Sequence, residues 1–178
     1  MTMKKIIASL FIALAGMFAG HAQSALTQMR EIIDVEDGNG EVVLSVFSMP
    51  TQDGENCYYL YAGEMGFGDE VLQINLDPIS KLFIPLGKDY DETMETLQML
   101  KERFKATPGT SIEMEGCFAP LVPNDKRETI KITTKKVLFS RKLMFSIEME
   151  DHLRATYVSK SDFNNLMFNL KLNKALFK

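Results

Sequence analysis

Between Glu128 and Val158 apolar side chains recur at every second position in three short runs, Glu128 to Phe139, Leu143 to Met149 and Leu153 to Val158. A period of two belongs to the pleated strand, whose successive side chains point to opposite faces. Leu143, Phe145, Ile147 and Met149 share one face, and Lys142, Met144, Ser146 and Glu148 share the other. The segments between the runs, Ser140-Arg141 and Glu150-Asp151-His152, are short and polar, so the three strands are predicted to pair antiparallel as a meander. The period then changes. Phe163, Leu166, Met167, Leu170 and Phe177 follow helical spacing, with Ser161 or a neighbour as the expected N-cap.

Upstream, Ser24 to Asp34 suits a helix through Leu26, Met29 and Ile33, and equally a strand over Ile32 to Val35. Asp37-Gly38-Asn39-Gly40 reads as a tight turn because Gly and Asn tolerate positive φ. Val42 to Phe47 is apolar on both faces, which suits a central strand, and Cys57 to Tyr61 forms the next with an aromatic cluster of Tyr58, Tyr59 and Tyr61. The glycines of Ala62 to Asp69 predict a loop. Val71 to Leu76 alternates as a half-buried strand, and Lys81 to Ile84 forms a short one. A helix is predicted from Asp89: Asp89 and Glu92 make a capping box, Thr93, Leu97, Leu100 and Phe104 line one face, and Pro108-Gly109 ends it. Ile112, Met114 and Phe118 then face inward from a strand whose other side carries Glu113, Glu115 and Cys117.

Shifting this helix by 73 residues lays Asp89, Met94, Leu97, Lys101, Phe104 and Lys105 on identical residue types in the C-terminal helix. Core faces impose such likeness on unrelated amphipathic helices too, and the preceding strands do not align. The expected fold class is α+β: an antiparallel sheet of about seven to eight strands, with two strand-rich halves as one arrangement, and two packed amphipathic helices.

At the N-terminus Lys4 and Lys5 precede an apolar run from Ile6 to Ala19 and small residues at Gly20 and Ala22, the pattern of a secretory signal peptide with cleavage expected after Ala22. The run is shorter than the roughly 20 residues that span a bilayer. Residues 1–22 are thus read as a signal peptide and 23–178 as one α+β domain, periplasmic or secreted, with no membrane span after cleavage. Loss of the leader removes two lysines and no acids, so the chain's net charge of −4 becomes more negative. Such a balance disfavours nucleic acid, which calls for a basic face. Cys57 and Cys117 form a disulfide candidate in an oxidising compartment, and two separate buried thiols are the alternative.

No motif assigns a chemistry. His152 is the single histidine beyond the leader. It would have to serve any Ser-His-Asp or Cys-His mechanism, and no G-x-S-x-G accompanies it. One histidine and two distant cysteines do not furnish a zinc shell, and Asp34 to Glu41 fails the EF-hand pattern. Gly63 to Gly68 lacks the phosphate-loop lysine. Glu113 and Glu115 share a strand face at a spacing of about 7 Å, compatible with a carboxylate pair and equally with a solvated surface. The basic residues are more suggestive. Lys131 and Lys135 share a face, Lys142 and Arg154 are candidates to join them from the next two strands, and Lys126-Arg127 lie just before. A positive patch on an acidic protein suits an anionic ligand or protein surface.

The resulting expectation is an exported, non-catalytic binding module using Lys131, Lys135 and Arg154, without cofactor or metal. A small secreted hydrolase and a carrier of small apolar ligands, curved around the tyrosine cluster, are the alternatives.

Overall fold

A computed structural model describes residues 29–50, 55–64, 66–67, 81–116, 128–148 and 153–177. The fold class is α+β, as expected. In chain order the elements are β1 (Arg30–Glu36), β2 (Val42–Pro50), β3 (Asn56–Glu64), β4 (Gly66–Phe67), β5 (Lys81–Gly87), α1 (Tyr90–Arg103), β6 (Ser111–Gly116), β7 (Glu128–Val137), β8 (Ser140–Glu148), β9 (Leu153–Ser159) and α2 (Lys160–Leu172), closed by a 3-10 turn at Lys174–Leu176. Two antiparallel sheets result, β1-β2-β3-β5 and β4-β9-β8-β7-β6. Setting aside the two-residue β4, each is a four-strand meander followed by a helix. The chain therefore does divide into two strand-rich halves. The leader, the run Val71 to Leu76, Cys117, Phe118 and His152 lie outside the described residues.

Of the ambiguous stretch Ser24 to Asp34, the described part from Arg30 onward is a strand paired antiparallel with β2, and residues 24–28 lie outside the described residues. The predicted turn joins them: the Asp37 carboxylate accepts from the backbone N–H of Asn39 (2.7 Å) and of Glu41 (3.1 Å), and Gly40 takes φ +81°. β2 lies between β1 and β3, in keeping with its apolar residues on both faces. One face carries Leu44 and Val46 into the main core, and the other carries Phe47 and Met49 into a second cluster with Tyr59, Tyr61 and Phe83. Where glycines predicted a loop from Ala62, the strand instead runs on to Glu64, and Gly66–Phe67 pairs with β9. Cross-strand partners hold an extended backbone there, overriding the local preference of glycine for turns.

Both helices are capped by side chains. Asp89 accepts from the Glu92 N–H at 2.9 Å, while the Glu92 carboxylate reaches back to the N–H of Lys88, one residue before the usual partner in a capping box. The cap of α2 is Ser159, whose Oγ accepts from the Asp162 N–H at 3.1 Å. Asp89 and Ser159 lie 70 residues apart. That offset carries the buried Thr93, Leu97 and Leu100 onto the buried Phe163, Met167 and Leu170. The 73-residue alignment read from the sequence is therefore close to one helical turn out of structural register, an error that the three- and four-residue recurrence of a core face makes easy.

One hydrophobic cluster draws on both sheets and both helices, including Leu44, Leu60 and Ile84 from the first sheet, Ile132, Phe145 and Val158 from the second, and Leu97 and Leu166 from the helices. Phe104 and Phe163 meet edge to face at 5.7 Å. α1 packs on β5, whereas α2 lies on β1 and β2 as well as on β8 and β9. At the seam between the sheets β5 and β6 come together around Gly116, where a Cβ would stand 2.1 Å from Ile130 Cδ1 and 3.1 Å from the Phe83 carbonyl oxygen.

Two outcomes check this account. Gly116→Ala should destabilise by about 1–3 kcal/mol through overpacking, and lower Tm by roughly 2–10 °C, while Gly38→Ala, with open space around it, should leave Tm nearly unchanged. The second concerns acid. The N–H of Glu41 first, and that of Asn39 next, hold the Asp37 carboxyl below its ordinary range. A carboxyl lowered in the folded state contributes stability above its unfolded pKa and loses it as pH falls through the folded value. Asp37 should thus titrate below the ordinary aspartate range in a side-chain NMR titration, and Asp37→Ala should remove that part of the acid sensitivity.

Candidate functional site

The site follows from the register of the second sheet. β7 and β8 pair with Lys131 opposite Ser146, Ile132 opposite Phe145, Thr134 opposite Leu143, Lys135 opposite Lys142 and Val137 opposite Ser140. The core face is thereby Ile130, Ile132 and Thr134 against Leu143, Phe145 and Ile147, all buried. The other face of the same strands carries Lys131, Thr133 and Lys135 beside Lys142, Met144 and Ser146; Thr133, Met144 and Ser146 are buried there too, so only the lysines of this face reach solvent. Lys131 is exposed, and Lys135 and Lys142 are half-buried along their stems. Among the described residues none of these three lysines forms an ion pair. Tyr157, paired in register with Met144, adds an exposed aromatic ring to this face.

Lys131 and Lys135 therefore share a face, as expected, and Lys142 joins them. Arg154 does not come with them by register. It pairs with Ile147, a core-face position, whereas the outward positions of β9 are those opposite Met144 and Ser146, namely Tyr157 and Ala155. The connection after β8 sets this parity, and a shift of one residue would have reversed it.

The turn between β7 and β8 also differs from expectation. The loop is not the polar Ser140-Arg141 but the apolar Leu138-Phe139, because Ser140 already pairs with Val137. Sliding the loop to Ser140-Arg141 would shift the strands by four residues and separate Ile132 from Phe145, so apolar pairing in the core places the turn. Leu138 sits at φ +53°, and Leu138 and Phe139 are 83% and 104% exposed. Lys135 and Lys136 lead into this tip and Arg141 and Lys142 lead out. The run Lys135-Lys136-Val137-Leu138-Phe139-Ser140-Arg141-Lys142 shows the arrangement in the sequence, and it was hidden only by the misplaced turn.

The tip is tied down at its base. Arg141 Nη1 donates to the carbonyl oxygens of Lys105 (2.9 Å) and Phe104 (3.3 Å), and Thr134 Oγ1 donates to that of Arg103 (2.8 Å). These groups donate to the orphan carbonyls at and just beyond the C-terminus of α1, where cationic side chains are also favoured by the helix dipole. Acidic residues gather towards the other end of the strands: Glu113 lies opposite Lys131, Glu115 opposite Thr129, and Glu128 opposite Gly116. Glu113 and Glu115 are both exposed on β6.

The tyrosine cluster is divided by the sheet, with Tyr58 in the main core and Tyr59 and Tyr61 on the other face. A cleft of about 360 Å³ beside Tyr58 is lined by Glu55, Asn56, Lys88, Asp89 and Phe177. The ion pair of Lys88 and Glu55 at 2.6 Å gives it a charged wall, and hydrogen bonding with Lys88 holds Glu55 below the ordinary carboxylate range. Phe177 stacks on Tyr58 at 4.5 Å and meets Tyr90 edge-on at 5.1 Å, so an aromatic end of the chain occupies this corner. Cys57 is half-buried in β3 and bonded to no cysteine among the described residues; Cys117, its disulfide candidate, lies outside them. Among the described residues no three His, Cys, Asp or Glu side chains gather as a metal site, and no helix is long and apolar enough to cross a membrane.

No protein-family model, curated protein or solved structure matches the chain. The site must be interpreted from its own geometry.

Replacing Arg141 with Gln should free the α1 carbonyls and cost about 1–3 kcal/mol. Amide hydrogen exchange of β7 and β8 near the tip should accelerate, while exchange in β2 and β3 stays at the wild-type rate.

Proposed function

We propose that the protein is an exported, non-catalytic binding module that engages an anionic partner through the outward face of β7 and β8. The observation that carries this reading is the alignment of Lys131, Lys135 and Lys142 on one face of a rigid sheet, free of ion pairs among the described residues. On a protein of net charge −4, Lys135 opposite Lys142 concentrates positive potential near the β7–β8 turn, with Lys131 further along the same face beside Glu113. Arg154, included on sequence grounds, is replaced in this reading by Lys142.

Export rests on the leader pattern of residues 1–22, and the expected mature N-terminus is Gln23. N-terminal sequencing of the protein recovered from its own cell tests that part directly.

The binding reading is tested with the triple variant Lys131→Gln, Lys135→Gln and Lys142→Gln on immobilised dextran sulfate. Wild type should be retained at low ionic strength and released as salt rises, because exposed charges are screened beyond about 10 Å at 0.1 M. The triple variant should elute with the void volume, while Glu113→Gln should be retained at least as well as wild type. Equal retention of the triple variant would remove this face from consideration.

A further inference from the structure

The apolar residues at the end of the cationic face have no part in binding a polyanion, and their geometry is costly. Leu138 occupies a φ of +53° at the first position of a two-residue loop, where Gly is the unstrained choice. Phe139 beside it is fully exposed. A turn that served only to reverse the chain would be more stable with Gly or Asn and with a polar neighbour. Strain and exposed apolar surface coincide here on a tip whose base is held by Arg141 at the carbonyls of Phe104 and Lys105, and by Ser140 Oγ at that of Val137 (3.3 Å). Such a coincidence points to function.

We propose that the β7–β8 tip is a membrane-docking element: Leu138 and Phe139 insert at the interface of an anionic phospholipid surface while Lys135, Lys136 and Lys142 meet its headgroups. This rests on the anionic-partner reading above and names the partner. Along β7 and β8 the order is apolar at the tip, uncharged at Val137 opposite Ser140, cationic over the following two residue pairs, neutral at Thr133, Met144 and Tyr157, and acidic towards Glu113, Glu115 and Glu128, where Lys131 lies opposite Glu113. An anionic surface attracts the tip end and repels the other, so the hairpin approaches tip first. At the tip end the α1 carboxylate Glu102 is engaged with Lys105 at 2.7 Å and with Gln98. Four cationic side chains thus flank two apolar ones, with Arg141 committed to the α1 carbonyls and the three lysines available.

A bilayer fits this tip better than a protein does. A specific protein partner requires roughly 800 Å² from each side in a complementary shape. Two side chains on a convex turn fall far short of that. A lipid interface demands no complementary pocket: it takes apolar and aromatic groups at the acyl boundary and basic groups at the phosphates. Tyr157, exposed beside Met144 at the fifth residue pair behind the tip, lies too far back to insert with it.

The test uses the whole purified protein with large vesicles of phosphatidylcholine alone or mixed with phosphatidylglycerol. The chain contains no Trp, so Phe139→Trp places a single reporter at the tip. Its emission should shift to the blue on mixed vesicles and be quenched by brominated acyl chains; emission unchanged by vesicles overturns the proposal. Leu138→Gly with Phe139→Ser relieves the positive φ and should fold at least as stably as wild type. Its co-sedimentation with mixed vesicles should fall by at least about tenfold. The variant Lys135→Gln, Lys136→Gln and Lys142→Gln should fall by roughly a hundredfold, near fivefold per charge.

The two readings fail separately. If the tip variant sediments like wild type while the lysine variant is lost, insertion is wrong and electrostatic binding stands. If wild type binds dextran sulfate and neither vesicle, the partner is a soluble polyanion or an acidic protein and the membrane assignment is overturned. If wild type binds neither, both readings fall.

Discussion

The pleat of β7 against β8 is the constraint on which the rest of this structure depends. Ile132 opposite Phe145 and Thr134 opposite Leu143 place six alternate positions, Ile130, Ile132, Thr134, Leu143, Phe145 and Ile147, on one face, and each of the two strands must commit its alternate residues to that choice. Once it is made, nothing local remains free. The lysines are obliged to face outward, Thr134 and Arg141 are brought to the end of α1, and the loop is reduced to Leu138 and Phe139. The chain accepts a leucine at positive φ because moving the turn would unpair the apolar residues that stabilise the core, each worth about 1.5–3 kcal/mol when buried, against a local strain of about 1–2 kcal/mol.

A second consequence is the way the two halves are joined. Each half is a four-strand meander followed by a helix, yet neither keeps its helix to itself. The C-terminal carbonyls of α1 are satisfied by β7 and β8, and α2 lies across β1 and β2. Phe104 meeting Phe163 continues the same core between the helices. Loosening one sheet therefore exposes apolar surface of the other, which is the physical ground for a shared core and for the intolerance expected at Gly116. The rigid support beneath the cationic face has the same origin, since the hairpin base is latched to a helix that belongs to the preceding half of the chain.

Much of the fold was legible from pattern. The turn at Asp37 to Gly40, the two-faced β2, the α1 cap at Asp89 and the meander itself follow from rules that act over a few residues. The failures occurred where distant partners decide. Gly63 and Gly66 are turn formers by nature but lie in or beside paired backbone, because β5 and β9 supply neighbours there. Ser159 caps α2 two residues ahead of the serine favoured on sequence grounds, since β9 ends at that point. The candidate site was half legible. Alternation is enough to put Lys131 and Lys135 together within one strand, but the parity of Arg154 depends on the length of a connection between strands, which alternation cannot measure. The tip was invisible for a related reason: a polar dipeptide looked like the loop, and only the cross-strand register shows that it is already paired.

By itself, the sequence determined the class of the molecule: the period of each segment, the caps and turns that bound them, the apolar run near its start, and the lack of any recognised catalytic motif. These depend on neighbours a few residues away, whose energetics are settled locally. The tertiary structure alone decided which strands adjoin, which alternate positions of each meet solvent, and where the reversal between β7 and β8 must fall. Those outcomes depend on the best joint burial of apolar side chains from both sheets and both helices, a quantity that no single segment contains. The same joint choice that closed the core left two apolar residues and three lysines together at one exposed end.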